Sequence, residues 1–181
     1  GLYRRAKQEK WDKPRFLRAA AKIQGVYVPP LYNVSYCEDG TIAAITPLDG
    51  APEKVVKRVV HDMNKSYYPA KTIVPSTEIV HDRVTLEVFR GCIRGCRFCQ
   101  AGYVYRPVRC RSREQLAEYA KAAVQDSGYQ EMTLSSLSTS DYPELVGLCD
   151  DLEAFCGEKH VNLSLPSLRA DNFSMELMQR L

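Results

Sequence analysis

Three of the seven cysteines in this 181-residue chain fall within eight residues: Cys92, Cys96 and Cys99. The stretch reads Arg90-Gly91-Cys92-Ile93-Arg94-Gly95-Cys96-Arg97-Phe98-Cys99-Gln100-Ala101-Gly102, a Cys-x3-Cys-x2-Cys spacing in a glycine-rich loop. Glycine lets a backbone wrap closely around a compact ligand. Three thiolates so spaced can hold three irons of a 4Fe–4S cluster, which usually takes four cysteines. A missing fourth leaves one iron open to a substrate or cofactor, as a catalytic site needs and an electron carrier does not. Two other chemistries use the same atoms. Three thiolates and a distant His or Cys make a zinc site, although zinc sites more often pair cysteines as CxxC with a second pair elsewhere. Such a site would stabilise a nucleic-acid-binding domain. A plain electron-transfer module would want a fourth Cys followed by Pro. Cys110 is the near candidate, but Pro107 precedes it.

The elements that must position this loop follow an alternating pattern. Val84-Thr85-Leu86-Glu87-Val88 reads as a strand directly before it. Ser112–Gln125 reads as a helix, with Ser112 and Gln115 as a capping box, Gly128 past its end, and Leu116, Tyr119, Ala120, Ala123 and Val124 on one face. Met132-Thr133-Leu134 is a second strand. Pro143–Gly157 is a helix whose stripe holds Leu145, Leu148, Cys149, Leu152, Phe155 and Cys156. Val161–Leu165 is a third strand, and Ser174 caps a further helix. Strand–helix alternation of this kind predicts a parallel sheet, ordered outward from residues 84–90 to 131–137 to 161–166. An open sheet and half of a barrel both fit.

Residues 1–80 read as an accessory or linker segment of helix, hairpin and helix. Pro14 and Gly25 bracket one basic helix. Asn33–Tyr36 and Thr41–Ile45 flank a Glu38-Asp39-Gly40 turn. Pro52 opens a helix carrying Val55, Val56, Val59 and Met63, and residues 64–81 form a connector. Residues 81–181 make the second domain. The chain starts at Gly1 and stops at Leu181 inside a helical pattern, which reads as a piece of a longer protein.

Composition narrows the classes. Hydrophobic residues are 45% and charged residues 26%, which excludes disordered, collagen-like and low-complexity chains. No run of 18 apolar residues exists, so no membrane partner is expected. The charged N-terminus is followed by no apolar leader segment, and the cysteine count is odd. Both argue against a disulfide scaffold and for a cytoplasmic setting. Cys149 and Cys156 are expected core thiols, and Cys37 is incidental. His61, His81 and His160 are scattered. Residues 1–22 and residues 90–114 each carry a net charge of +6. The arginines around the cysteine loop could draw a phosphorylated or nucleic-acid partner, balance the charge of a cluster or line an interface. The basic N-terminal helix could lie on RNA, on another domain or in solvent.

Cys-x3-Cys-x-aromatic-Cys after a first strand, with Phe98 in the aromatic slot, resembles the signature of radical S-adenosylmethionine (SAM) enzymes. Gly25-Val26-Tyr27-Val28-Pro29-Pro30, Arg90-Gly91-Cys92, Arg97-Phe98-Cys99-Gln100-Ala101-Gly102, Tyr105-Arg106-Pro107-Val108-Arg109 and Leu134-Ser135-Ser136-Leu137-Ser138 resemble a subgroup with a B12-binding-type domain upstream. Cys110 departs from that pattern, which leads one to expect an acidic or polar residue there. The resemblance implies an α/β fold: residues 81–181 would be the first half of a partial (βα)6 barrel. It implies Cys92, Cys96 and Cys99 as cluster ligands and SAM on the open iron. It also implies reductive cleavage of SAM to a 5′-deoxyadenosyl radical that acts on an unknown substrate. A flavodoxin or ferredoxin would donate the electron, and cobalamin could enter through the upstream domain. Phe98 would shape the pocket beside the cluster and bring its backbone close to the adenine. The family's Gly-Gly-Glu-like turn after strand two is replaced by Ser136-Leu137-Ser138, whose hydroxyls and carbonyls could accept the SAM ammonium. Asp141 could equally cap a polar turn there. At the end of strand three, Ser167 and Arg169 stand where barrel active sites lie. Arg169 could bind the SAM carboxylate or a substrate anion, or simply pair with Asp171.

Overall fold

Val84 and Leu86 alternate with Thr85 and Glu87, and Met132 and Leu134 alternate with Glu131, Thr133 and Ser135. A strand turns successive side chains to opposite faces, so each segment has one apolar face to bury. The computed structural model buries all four apolar residues at 3% exposure or less. It describes residues 1–69, 71–172 and 175–178, in two compact units, Gly1–Val59 and Val60–Leu181.

The first unit holds α1 (Leu2–Gln8), α2 (Lys13–Ala21) and a hairpin of β1 (Tyr32–Tyr36) and β2 (Ile42–Pro47). The basic helix expected between Pro14 and Gly25 forms as α2, and α1 precedes it as a further helix. Asp12 caps α2, its carboxylate accepting from Arg15 N at 2.8 Å. Trp11 fills the break between the guanidinium groups of Arg5 and Arg15, 4.8 and 4.4 Å from its ring. The hairpin is antiparallel as expected, with a register shift at Ser35/Tyr36. The helix expected from Pro52 does not form. Residues 52–62 are irregular, and Val56 stays 60% exposed. Three β-branched valines without a face to bury favour an extended chain.

The second unit builds the sheet. β3 (Val84–Glu87) and β4 (Phe89–Arg90) precede the cysteine loop. The loop contains α3 (Ala101–Val104) and ends at β5 (Arg109–Cys110). Next come α4 (Arg113–Ser127), β6 (Glu131–Ser135), α5 (Leu145–Lys159), β7 (Asn162–Ser164) and α6 (Met175–Met178). The sheet order is β3–β6–β7, all parallel, with Val84 opposite Met132 and Met132 opposite Leu163. Three parallel strands with helical crossovers are compatible with part of a (βα) barrel. The apolar face packs against α4 and α5, and all six residues expected on the α5 stripe are buried. Ser174, expected to cap a helix, lies outside the described residues.

Two local features differ from expectation. Ser112 Oγ accepts from Gln115 N at 3.3 Å, but Gln115 does not complete the capping box. Its amide donates instead to Asn64 O at 2.9 Å, and Ser112 N donates to Asn64 Oδ1 at 2.8 Å. The connector turn Met63–Lys65 has taken the place of the reciprocal cap. Arg111, next to it, is 2% exposed. Its Nη1 donates to Met63 O at 2.6 Å and Ser66 O at 3.2 Å, and its guanidinium lies 5.5 Å from the Tyr119 ring. Glu87 Oε2 stands 3.9 Å from its Nη2 and supplies the counter-charge. A buried cation needs such partners, and here they bind the connector to the sheet.

These contacts rank two substitutions. Leu134→Ala leaves a cavity in the central strand and should cost about 3 kcal/mol. Ser112→Ala loses one cap bond and should cost about 1 kcal/mol. Denaturant midpoints of the two variants check the order; a larger loss for Ser112→Ala would contradict it.

Candidate metal centre

The cysteine loop is closed at its base by an antiparallel pair that follows β3 directly. Phe89 lies opposite Cys110 and Arg90 opposite Arg109, so residues 91–108 leave the sheet and return to the same point. Gly91 sits at φ +99°, open to glycine and strained for other residues. A Cβ there would stand 2.6 Å from Pro107 O and 2.7 Å from Tyr105 O. A Cβ on Gly102 would stand 2.5 Å from Arg94 O. The two glycines therefore let the loop fold back on itself at both ends.

Arg106 holds the turn between them. Its Nη2 donates to Ile93 O at 2.8 Å and Arg94 O at 3.4 Å, and its Nε donates to Cys92 O at 3.3 Å. One guanidinium thus gathers three successive carbonyls, which orients Cys92–Arg94 without using a side chain of that segment. Cys92, Cys96 and Cys99 are free thiols of intermediate exposure. Burial pushes the thiols of Cys110 and Cys156 up, which keeps them protonated and makes them poor ligands.

Among the described residues, no three His, Cys, Asp or Glu side chains converge on the position of a single ion. A 4Fe–4S cluster makes a different demand, because each thiolate takes a separate iron and the ligands ring a larger body. Three free thiols on one closed, cation-rich loop fit that donor set.

A hydrogen-bonded rim joins the loop to the carboxyl ends of the second and third strands. Arg94 pairs with Asp141 through the Nε–Nη2 edge of its guanidinium, with Nε to Oδ2 at 3.0 Å. Asn172 Nδ2 donates to Asp141 Oδ1 at 3.0 Å and to Ser140 O at 2.7 Å. Arg169 Nη1 reaches Cys96 Sγ at 3.7 Å. A separate cavity of about 370 Å³ opens at the carboxyl ends of β3 and β6, lined by Glu87, Phe89, Arg90, Gly91, Tyr105, Ser135, Ser136 and Leu137.

The remaining expected residues are distributed as follows. Phe98 is 94% exposed on the loop. Ser136 Oγ lies 2.9 Å from Thr139 Oγ1 within the turn after β6. Ser138 is 2% exposed; its hydroxyl lies close enough to bias the Asp141 carboxyl yet completes no good hydrogen bond among the described residues. Ser167 adopts φ +60° and its carbonyl accepts from Thr139 N at 3.1 Å. Sequence reasoning missed the positional work of Arg94, Arg106 and Asp141. The density of arginine at 90–113 was the available signal, but an anionic partner, the charge of a cluster or an interface accounted for it equally well. Most of these arginines are committed inside the fold. Arg90 binds Glu87, Arg109 binds Pro107 O, Arg111 binds Met63 O and Arg113 binds Asp151.

The Arg94 guanidinium holds the Asp141 carboxyl down at about 2, below its ordinary 3.8. A carboxyl lowered on folding stabilises the fold above its unfolded value and loses that stabilisation as pH falls through the folded value. Asp141→Asn should therefore be less stable than the parent at neutral pH. The difference should close between pH 3.8 and about 2. Denaturant midpoints across that window check it; a difference independent of pH would contradict it.

A model of the radical SAM superfamily matches residues 86–181, just over half of the chain. A protein of Methanocaldococcus jannaschii, described as uncharacterized, is 38% identical over 94 residues, which is 52% of this chain and 20% of that protein. The chain thus spans about a fifth of the length of that relative. The match begins inside β3 and runs through the cysteine loop, β6 and β7, so the chain belongs to the radical SAM superfamily, whose members combine a 4Fe–4S cluster with SAM.

Proposed function

We propose that residues 81–181 form the N-terminal part of a radical SAM catalytic domain, with residues 1–80 as an accessory segment. The observation that carries this reading is the closed loop itself. Three free thiols at the Cys-x3-Cys-x2-Cys spacing sit on a loop that leaves β4, just past the first parallel strand, and returns to pair with it through β5. Cys92, Cys96 and Cys99 would hold the cluster and leave one iron for SAM. When bound, the cluster supplies the electron that splits SAM into methionine and a 5′-deoxyadenosyl radical. A low-potential donor such as a flavodoxin or ferredoxin would reduce it.

The chain's own residues orient and enclose. Arg106 fixes the carbonyls beside Cys92, and Arg94 ties the loop to Asp141. Phe98 offers an exposed ring face for the adenine. Ser136 and Ser167 are the polar contacts we assign to SAM, with Arg169 as the cation on the same rim, while the buried Ser138 would support the turn after β6. Hydroxyls and carbonyls there accept an ammonium in place of a carboxylate.

The substrate side of the reading is coarser. The inner sheet face is polar, with Thr85, Thr133 and Ser135 turned away from the core, which supports a hydrogen-bonding substrate. The resemblance to proteins with an upstream B12-binding-type domain supports two reactions: direct hydrogen abstraction, or methyl transfer through a corrinoid. No helix among the described residues is long and apolar enough to cross a membrane.

Replacing Cys92, Cys96 or Cys99 by Ala should abolish iron incorporation and SAM cleavage together, while Cys110→Ala, Cys149→Ala and Cys156→Ala keep both. Anaerobic reconstitution with iron and sulfide analysis tests this; full iron content in Cys96→Ala would overturn it. Phe98→Ala should retain iron and bind SAM about tenfold more weakly, the scale of losing a stacked aromatic face. Equilibrium binding measures the loss, and unchanged affinity would remove Phe98 from the site.

A further inference from the structure

Arg169 divides its guanidinium between two partners. Nε and Nη2 donate to Asp171 at 3.0 and 2.7 Å, using the bidentate edge that a guanidinium offers to a carboxylate. Nη1 is left over, and it points to Cys96 Sγ at 3.7 Å. The residue is anchored on the backbone as well. Its N donates to Ser140 Oγ at 3.2 Å and its O accepts from Asn172 N at 3.1 Å. Ser167, two residues earlier, holds φ +60° to bring the chain round. A cation from the end of the third strand is thus clamped against a thiol 73 residues away in sequence.

The nearby charges sharpen the assignment. Arg94 is already paired with Asp141 on the same rim, so it adds little net charge. In the Arg169–Asp171 pair the guanidinium stands between the carboxylate and the sulfur. Cys96 therefore faces the positive end of that pair.

We propose that Arg169 is a positioning residue that donates to Cys96 Sγ and makes a cluster ligated there easier to reduce, with Asp171 fixing its fork. This rests on the cluster reading above. Reduction adds one negative charge to the cluster, and a cationic donor at a ligand sulfur stabilises the reduced form more than the oxidised form. Hydrogen bonds to sulfur and local charge are among the levers that set such potentials. With its fork on Asp171 and its remaining nitrogen on Cys96, this guanidinium acts on the cluster rather than on the carboxylate of SAM.

The test is a potentiometric titration followed by electron paramagnetic resonance, on the anaerobically reconstituted chain and on Arg169→Gln, Arg169→Lys and Asp171→Asn. Iron per chain should match the parent in all three. In Arg169→Gln the ratio of reduced to oxidised cluster at a fixed potential should fall roughly tenfold, about 59 mV for one electron. Arg169→Lys should recover most of that shift. Asp171→Asn should move the potential upward, because the guanidinium keeps its charge and loses its counter-ion. An unchanged potential in Arg169→Gln, or shifts of the same sign in Arg169→Gln and Asp171→Asn, would overturn the inference. If Arg169→Gln takes up no iron, Asp171→Asn decides: a rise supports the proposal, and a flat or lowered potential overturns it. A parent chain that takes up no iron would overturn the cluster reading and this inference with it. Iron in the parent with flat potentials in the variants would overturn this inference alone.

Discussion

Closure of the segment from Gly91 to Val108 is the constraint on which the rest of this structure depends. A loop of that length would ordinarily wander, because each ordered residue costs conformational entropy. Here the ladder of Phe89–Arg90 with Arg109–Cys110 pins both ends at one place beside the sheet. Arg106 then spends one guanidinium on three carbonyls. Gly91 and Gly102 admit the crossing backbone where any Cβ would collide. Loop shape is therefore set by backbone contacts, and the three thiols are free of structural duty.

The same economy explains the arginine density around the loop. A charge run at residues 90–113 looks from the sequence like a docking surface for an anion. In the fold, Arg106, Arg109 and Arg111 bind main-chain carbonyls, while Arg90, Arg94, Arg113 and Arg169 each take a carboxylate. Guanidinium suits this use because its planar fork satisfies several acceptors at once. Arg106 beside Cys92 and Arg169 beside Cys96 are thus cations held in fixed positions.

Much of the second unit was legible in the sequence because burial there is regular. Val84 and Leu86, Met132 and Leu134, and the α5 stripe all follow the period of their element, and the parallel order 84–90, 131–137, 161–166 appears as expected. Where periodicity and packing part company, the reading failed. Val55, Val56 and Val59 have helical spacing but no shared buried face, so no helix forms. The helix bracketed by Pro14 and Gly25 does form, capped by Asp12, whereas the short α1 before it carried no such brackets. Asn64 displaced half of a capping box from 48 residues away. The cysteine spacing was visible at once, whereas the Arg94–Asp141 latch was not, because a pair 47 residues apart leaves no periodic trace.

The central claim is that this closed loop carries a cluster with one iron reserved for SAM. Mössbauer spectroscopy of the iron-reconstituted chain, recorded with and without SAM, tests it most directly. The account predicts a 4Fe–4S spectrum in which one iron site of the four changes when SAM is added while the other three stay as they were. A spectrum that SAM leaves unchanged, or a chain that takes up zinc in preference to iron and sulfide, would contradict it.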